Sequence, residues 1–161
     1  MSGIEAQTAT IVAFLDSIGI PSAATELDEA AFLPGIVVRD GVIHYDPAKL
    51  EWPGDLLHEA GHLALTAPEL RATVSDFRDG NPTADGDEMG AIAWSYAAAL
   101  AGRIDVELVF HAGGYRGESN WLADTFGQGS YIGLPMLQYY GLARFPHDDG
   151  EQYPAMIKWL R

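Results

Sequence analysis

Residues 56–65 read LLHEAGHLAL, two histidines four apart with a glutamate straight after the first, set in an apolar run. Leu56, Leu57, Ala60, Leu63 and Ala64 recur at helical spacing, which predicts a largely buried helix. Residues four apart on a helix share a face, one turn up, so His58 and His62 can each aim a ring nitrogen at one point. Glu59 is turned by about 100° from His58, which places it beside that point as a holder of water. Burying two imidazoles and a carboxylate without partners is costly. A metal ion held by His58 and His62, with Glu59 as general base, accounts for all three groups, and this is the chemistry of the H-E-x-x-H arrangement. The competing reading is a pair of hydrogen-bonded core histidines.

The rest of the chain is compatible with such a site. Its 161 residues suit one domain over residues 1–161 with a sizeable core. A formal net charge of -14, with only nine Lys plus Arg, disfavours nucleic acid and anionic membrane surfaces as partners and attracts cations. With no cysteine, disulfides, thiolate zinc sites and a cysteine nucleophile are excluded. No apolar run is long enough for a bilayer, and MSGIEAQTAT does not read as a signal peptide, so a cytoplasmic location is expected.

Hydrophobic periodicity predicts a helix over 5–18, stopped by Gly19 and Pro21, and a short second helix over 26–33. Residues 35–47, GIVVRDGVIHYDP, place two β-rich runs around Asp40-Gly41, a strong hairpin signal. Pro53-Gly54-Asp55 opens the His58–His62 helix, with Asp55 capping or charging its first turn, and Thr66-Ala67-Pro68 closes it. Residues 79–86 read as a turn-rich loop, and 87–101 as an Ala-rich helix ending at Gly102. The segments 105–114, 118–129, 131–143 and 153–161 read as short helices, with Pro135 in a first turn or at a kink. The expected fold class is α+β, mostly helical, with a small antiparallel hairpin before the metal helix.

A catalytic zinc usually takes three protein ligands and leaves a fourth position to water. The residues after His62, LALTAPELRA, supply no third histidine, so a downstream acid on a second helix is the next option. Glu88 begins such a helix, followed by the small residues Gly90, Ala91, Ala93 and Ala97, which allow close helix approach. Asp87 and Asp85 are neighbouring alternatives. The order of hairpin, HEAGHL helix and acid-led Ala-rich helix resembles the gluzincin branch of the zincin metallopeptidases, most of all the short bacterial ImmA/IrrE-type domain. The resemblance covers residues 34–101. It implies Zn2+ bound by His58, His62 and Glu88, with Glu59 as general base.

The function expected is therefore a zinc-dependent hydrolase, a small intracellular metallopeptidase acting on a peptide or protein substrate. The alternative is a non-catalytic zinc-binding regulatory module on the same scaffold. An oxyanion formed in such a reaction needs a further donor, for which His111, Tyr96, Tyr115 and Arg116 are candidates. His44 lies on the strand before the metal helix, where a peptide could add to a strand edge, although a half-buried strand histidine is the simpler reading. His147-Asp148-Asp149 reads as a solvated loop in preference to a second cation site. The stretch DGNPTADGDE has Ala84 where a calcium loop needs glycine. Nucleotide-binding and serine-hydrolase motifs are absent from the sequence.

Overall fold

The computed structural model describes residues 2–28, 33–75, 85–113, 119–129, 132–144 and 155–161. The fold is α+β. Helix α1 (Gly3–Ile18) leads into strands β1 (Ser22–Ala24), β2 (Ile36–Arg39) and β3 (Val42–Tyr45), followed by α2 (Asp55–Leu65) and the single turn α3 (Pro68–Arg71). The chain continues through α4 (Asp85–Gly102), α5 (Val106–Val109), α6 (Ser119–Gly127) and α7 (Leu134–Tyr139).

Helix α1 starts two residues before the apolar stripe because Ser2 and Glu5 form a capping box. The Ser2 hydroxyl accepts the Glu5 N–H, and the Glu5 carboxylate accepts the Ser2 N–H. It stops at Gly19, which adopts the left-handed conformation (φ 89°) that lets its N–H reach back to the last carbonyls. The expected hairpin is present. Asp40 and Gly41 both take positive φ, and β2 pairs antiparallel with β3 from Ile36↔Tyr45 to Arg39↔Val42. The sheet is larger than the hairpin, because β1 adds parallel to β3 and gives the order β1-β3-β2. A three-residue strand reading SAA carries no β-propensity signal, so it is invisible in the sequence.

One expected helix is corrected, and residues 29–32 of another lie outside the described residues. Within 26–33 the described residues form no helix, and Leu33 instead bridges Ile36. Residues 155–161 form no helix, with Met156 bridging Ala143 and bends at Ile157 and Trp159. That tail docks on the core. The Trp94 indole N–H donates to Trp159 O (3.0 Å), and the Trp159 ring meets Trp94 and Phe14 edge-on. Pro135 sits in the first turn of α7, where its missing N–H costs nothing. Residues 79–84 of the expected loop lie outside the described residues, and α4 begins at Asp85.

Helix α2 is the spine of the core, with ten of its eleven residues buried. Leu56, Leu57 and Leu63 are fully enclosed, each contributing about 1.5–3 kcal/mol by leaving water. Its main partner is α4, buried from Gly90 to Ala99. Small residues set the spacing between them: a Cβ at Gly61 would lie 2.9 Å from Ala91 O. Across the same contact the Ser95 hydroxyl lies 3.2 Å from Leu57 O and 2.7 Å from Ala91 O. The far end of α2 is capped from outside the helix. The Arg71 guanidinium donates to Leu63 O and Thr66 O, the Arg161 N–H to Ala64 O, and the Arg161 side chain to Leu65 O. The carbonyls that a helix leaves without intrahelical donors are thus met by two cationic groups, which also suit the negative end of its dipole. Among the described residues no helix is long and apolar enough to cross a membrane.

At the near end, Gly54 has ordinary helical torsions (φ -61°, ψ -22°), yet a Cβ there would sit 1.8 Å from Leu108 O. Gly54→Ala is expected to lower stability by about 1–3 kcal/mol through overpacking alone. Gly3→Ala, where a Cβ meets open space, should stay within about 0.5 kcal/mol of the parent. Denaturant unfolding of the two variants reads the difference; equal stabilities would mean that α5 does not press on the start of α2.

Candidate metal centre

The buried α2 carries four polar side chains on one side. At 100° per residue, His58, His62, Asp55 and Glu59 fall within an arc of about 100°. His62, Asp55 and Glu59 are buried and His58 nearly so. The close approach at Gly61 brings the first turn of α4 over this face. Glu88 then reaches both histidines: Oε1 lies 3.0 Å from His58 Nε2, and Oε2 lies 2.9 Å from His62 Nε2. The two Nε2 atoms are 3.2 Å apart, with the rings nearly perpendicular at 84°. Among the described residues these three form a group that could hold a metal ion.

The donors fit an ion better than they fit one another. The two imidazoles and the carboxylate stand as a triangle of three groups, one carboxylate oxygen facing each ring, with an N–N edge between the rings. Each imidazole nitrogen can carry only one proton, and if both carry one to reach Glu88, two N–H groups face each other across the N–N edge. A cation inside the triangle receives a lone pair from all three and removes that conflict. Tetrahedral zinc with ligands at 2.0–2.1 Å places neighbouring donors about 3.3 Å apart, close to the 3.2 Å between the two Nε2 atoms. Two neutral imidazoles and one carboxylate are also the donor types that borderline first-row ions prefer. Among the three groups, Glu88 is the exposed one. The His62 side chain is 4% exposed, His58 13% and Glu88 48%, so access is from the α4 side.

Burial works against ionising the Glu88 carboxyl. Hydrogen bonds and charge from His58 and His62 outweigh burial and hold the carboxyl well below its usual 4.5. Glu59 sits on α2 as expected, buried beside the histidines.

The other candidates divide. His111 does not face the metal group as a free donor. It is buried, with Nε2 2.6 Å from Asp55 Oδ1, and Nδ1 accepting the Gly113 N–H at 3.1 Å. Tyr96 belongs to the aromatic core, its ring 4.7 Å from that of Phe126 and 6.3 Å from that of Phe110. His44 lies on the central strand of the sheet, half-buried and 2.9 Å from Thr25 Oγ1. With β1 and β2 on its two sides, β3 has no edge to which a peptide could add. The side chains of Asp85 and Asp87, together with Tyr115, Arg116 and His147-Asp148-Asp149, lie outside the described residues.

Sequence reasoning missed the Asp55–His111 pair. Asp55 is the first residue of α2 but makes no cap, since the N-cap is Gly54; its carboxylate turns to His111. The D-x-x-H spacing of Asp55 and His58 marks the shared helix face, but nothing in the sequence links it to a histidine 56 residues on.

Glu88 gives the metal-free protein a definite pH dependence. A carboxyl depressed in the folded state contributes stability that is fully present above its unfolded value of 4.5 and lost as pH falls. Between pH 5 and pH 3 the denaturation midpoint of the metal-free parent is expected to fall more steeply than that of Glu88→Gln. Parallel slopes would mean that Glu88 does not pair with the histidines.

No family model matches the chain, and neither the curated proteins nor the solved structures contain a significant match. The case for the site therefore stands on its geometry.

Proposed function

We propose that the protein is a metal-dependent hydrolase, with zinc as the ion and a peptide bond in a peptide or protein substrate as the bond cleaved. The observation that carries this reading is the convergence of His58 Nε2, His62 Nε2 and the Glu88 carboxylate, with Glu59 next to His58 on the same helix. The gluzincin-type resemblance of the sequence points the same way. A purely structural zinc site is closed by four protein ligands. Here the described residues offer a group of three, open on the Glu88 side.

The roles follow from chemistry and position. His58, His62 and Glu88 hold the ion, which when bound would acidify water and polarise a carbonyl. Glu59 accepts the proton of the attacking water and passes it to the leaving amine. Its burial on the rigid α2 keeps the carboxylate from swinging away into solvent. The close α2–α4 packing fixes Glu88 to the same body, so the ligand set is organised before the ion arrives.

The test is turnover of a random-sequence peptide library by the zinc-loaded chain, read by mass spectrometry. The parent is expected to cleave a subset of peptides. Glu59→Gln should keep the ion and lose about 10²–10⁴-fold in rate. Equal cleavage by both would remove Glu59 from the chemistry. A metal-loaded parent that cleaves nothing would favour the non-catalytic regulatory module.

A further inference from the structure

A second group of polar side chains lies one turn along α2 from the metal ligands. Asp55 precedes His58 by three residues and His62 by seven, so all three fall on one stripe, Asp55 about 4.5 Å along the axis from His58. Its partner His111 is held on one ring face and at both ring nitrogens. Trp52 stacks flat on the imidazole, with centroids 4.3 Å apart and planes 1° from parallel. The Gly113 N–H donates to Nδ1, and Nε2 meets Asp55 Oδ1 at 2.6 Å.

This pattern fixes the protonation of the pair. Nδ1 is an acceptor, so the proton sits on Nε2 and is donated to Asp55. Asp55 must then be the acceptor on that bond, a carboxylate paired with a neutral imidazole. Gly54 and Gly113 allow the clamp to close. A Cβ on Gly54 would strike Leu108 O, just ahead of His111, and a Cβ on Gly113 would come within 2.8 Å of the Trp52 indole.

A buried carboxylate beside a neutral ring keeps its charge, and burying that charge is expensive without a compensating positive centre nearby. Among the described residues, the His58–His62–Glu88 triangle, one turn along α2, is a place for one. Burial raises the Asp55 carboxyl above its ordinary value, and the hydrogen bond from His111 offsets only part of that.

We propose that Asp55 and His111 form a positioning dyad for the metal centre, fixing the first turn of α2 and setting a negative charge one turn from the ligands that tightens metal binding. The inference rests on the reading of His58, His62 and Glu88 as metal ligands. Groups that orient and polarise a ligating histidine from behind typically change metal affinity by about 10–100-fold when removed.

The experiment uses the full chain with Co2+ as a spectroscopic probe and Zn2+ by competition, each variant also melted without metal. Asp55→Asn is expected to bind Zn2+ about 10–100-fold more weakly and to shift the visible Co2+ bands, with metal-free unfolding still cooperative. His111→Gln, whose amide can donate to Asp55, should stay closer to the parent than His111→Phe. A parent-like Co2+ spectrum and Zn2+ affinity in Asp55→Asn would overturn the proposal and leave the pair a purely structural clamp, whatever happens to melting. If Asp55→Asn does not fold, equal Zn2+ affinities in the two His111 variants overturn it instead. A parent that binds neither ion sinks the metal centre itself, and the dyad's role with it, a result distinct from the others.

Discussion

The contact between α2 and α4 at Gly61 and Ala91 governs the rest of the molecule. With a side chain at residue 61 the two helices would have to move apart, because Ala91 O and Cα occupy the space a Cβ needs. At the present distance, the Ser95 hydroxyl crosses to a carbonyl of α2, and the Glu88 carboxylate spans both histidines. The glycine inside HEAGH is therefore a spacing residue. It lets polar side chains from two different helices converge as one group.

Such a group is unfavourable unless something resolves its electrostatics. The buried face of α2 carries two carboxyl groups and two imidazoles, and α4 adds a third carboxyl. The helix is held by groups placed around this face. At its C-terminal end the guanidiniums of Arg71 and Arg161 and the main chain of the docked tail meet the carbonyls. At its N-terminal end Asp55, His111 and Trp52 hold the first turn. Fixing both ends of one helix keeps His58 and His62 in register with Glu88, the preorganisation that a group able to hold an ion calls for.

Much of this was legible in the residues, for identifiable reasons. The hairpin follows from Asp40-Gly41, since few dipeptides accept two positive φ angles in succession. Helix α2 follows from apolar periodicity around an i, i+4 histidine pair. Glu88 follows from its place at the head of an Ala-rich helix, because small residues announce close approach. What stayed hidden depends on contacts distant in sequence. Strand β1 forms only because β3 offers it an edge. The 153–161 segment has apolar residues at helical intervals, but Trp159 and Met156 are used to dock a non-helical tail on α4 and Ala143, so tertiary packing overrides propensity. The Ser2–Glu5 box was readable and lengthens α1 beyond its apolar stripe. His111 could be noticed but not assigned, because its partner is 56 residues away.

The central claim is that His58, His62 and Glu88 together bind one metal ion. Its most direct test is elemental analysis of the purified chain after exhaustive dialysis against metal-free buffer, followed by titration with zinc. The account predicts close to one ion per chain, retained or restored at one equivalent. It also predicts loss of that ion when Glu88 is replaced by alanine. No bound metal, together with no thermal stabilisation on adding zinc, would contradict it and return the two histidines to the core as ordinary hydrogen-bonded residues.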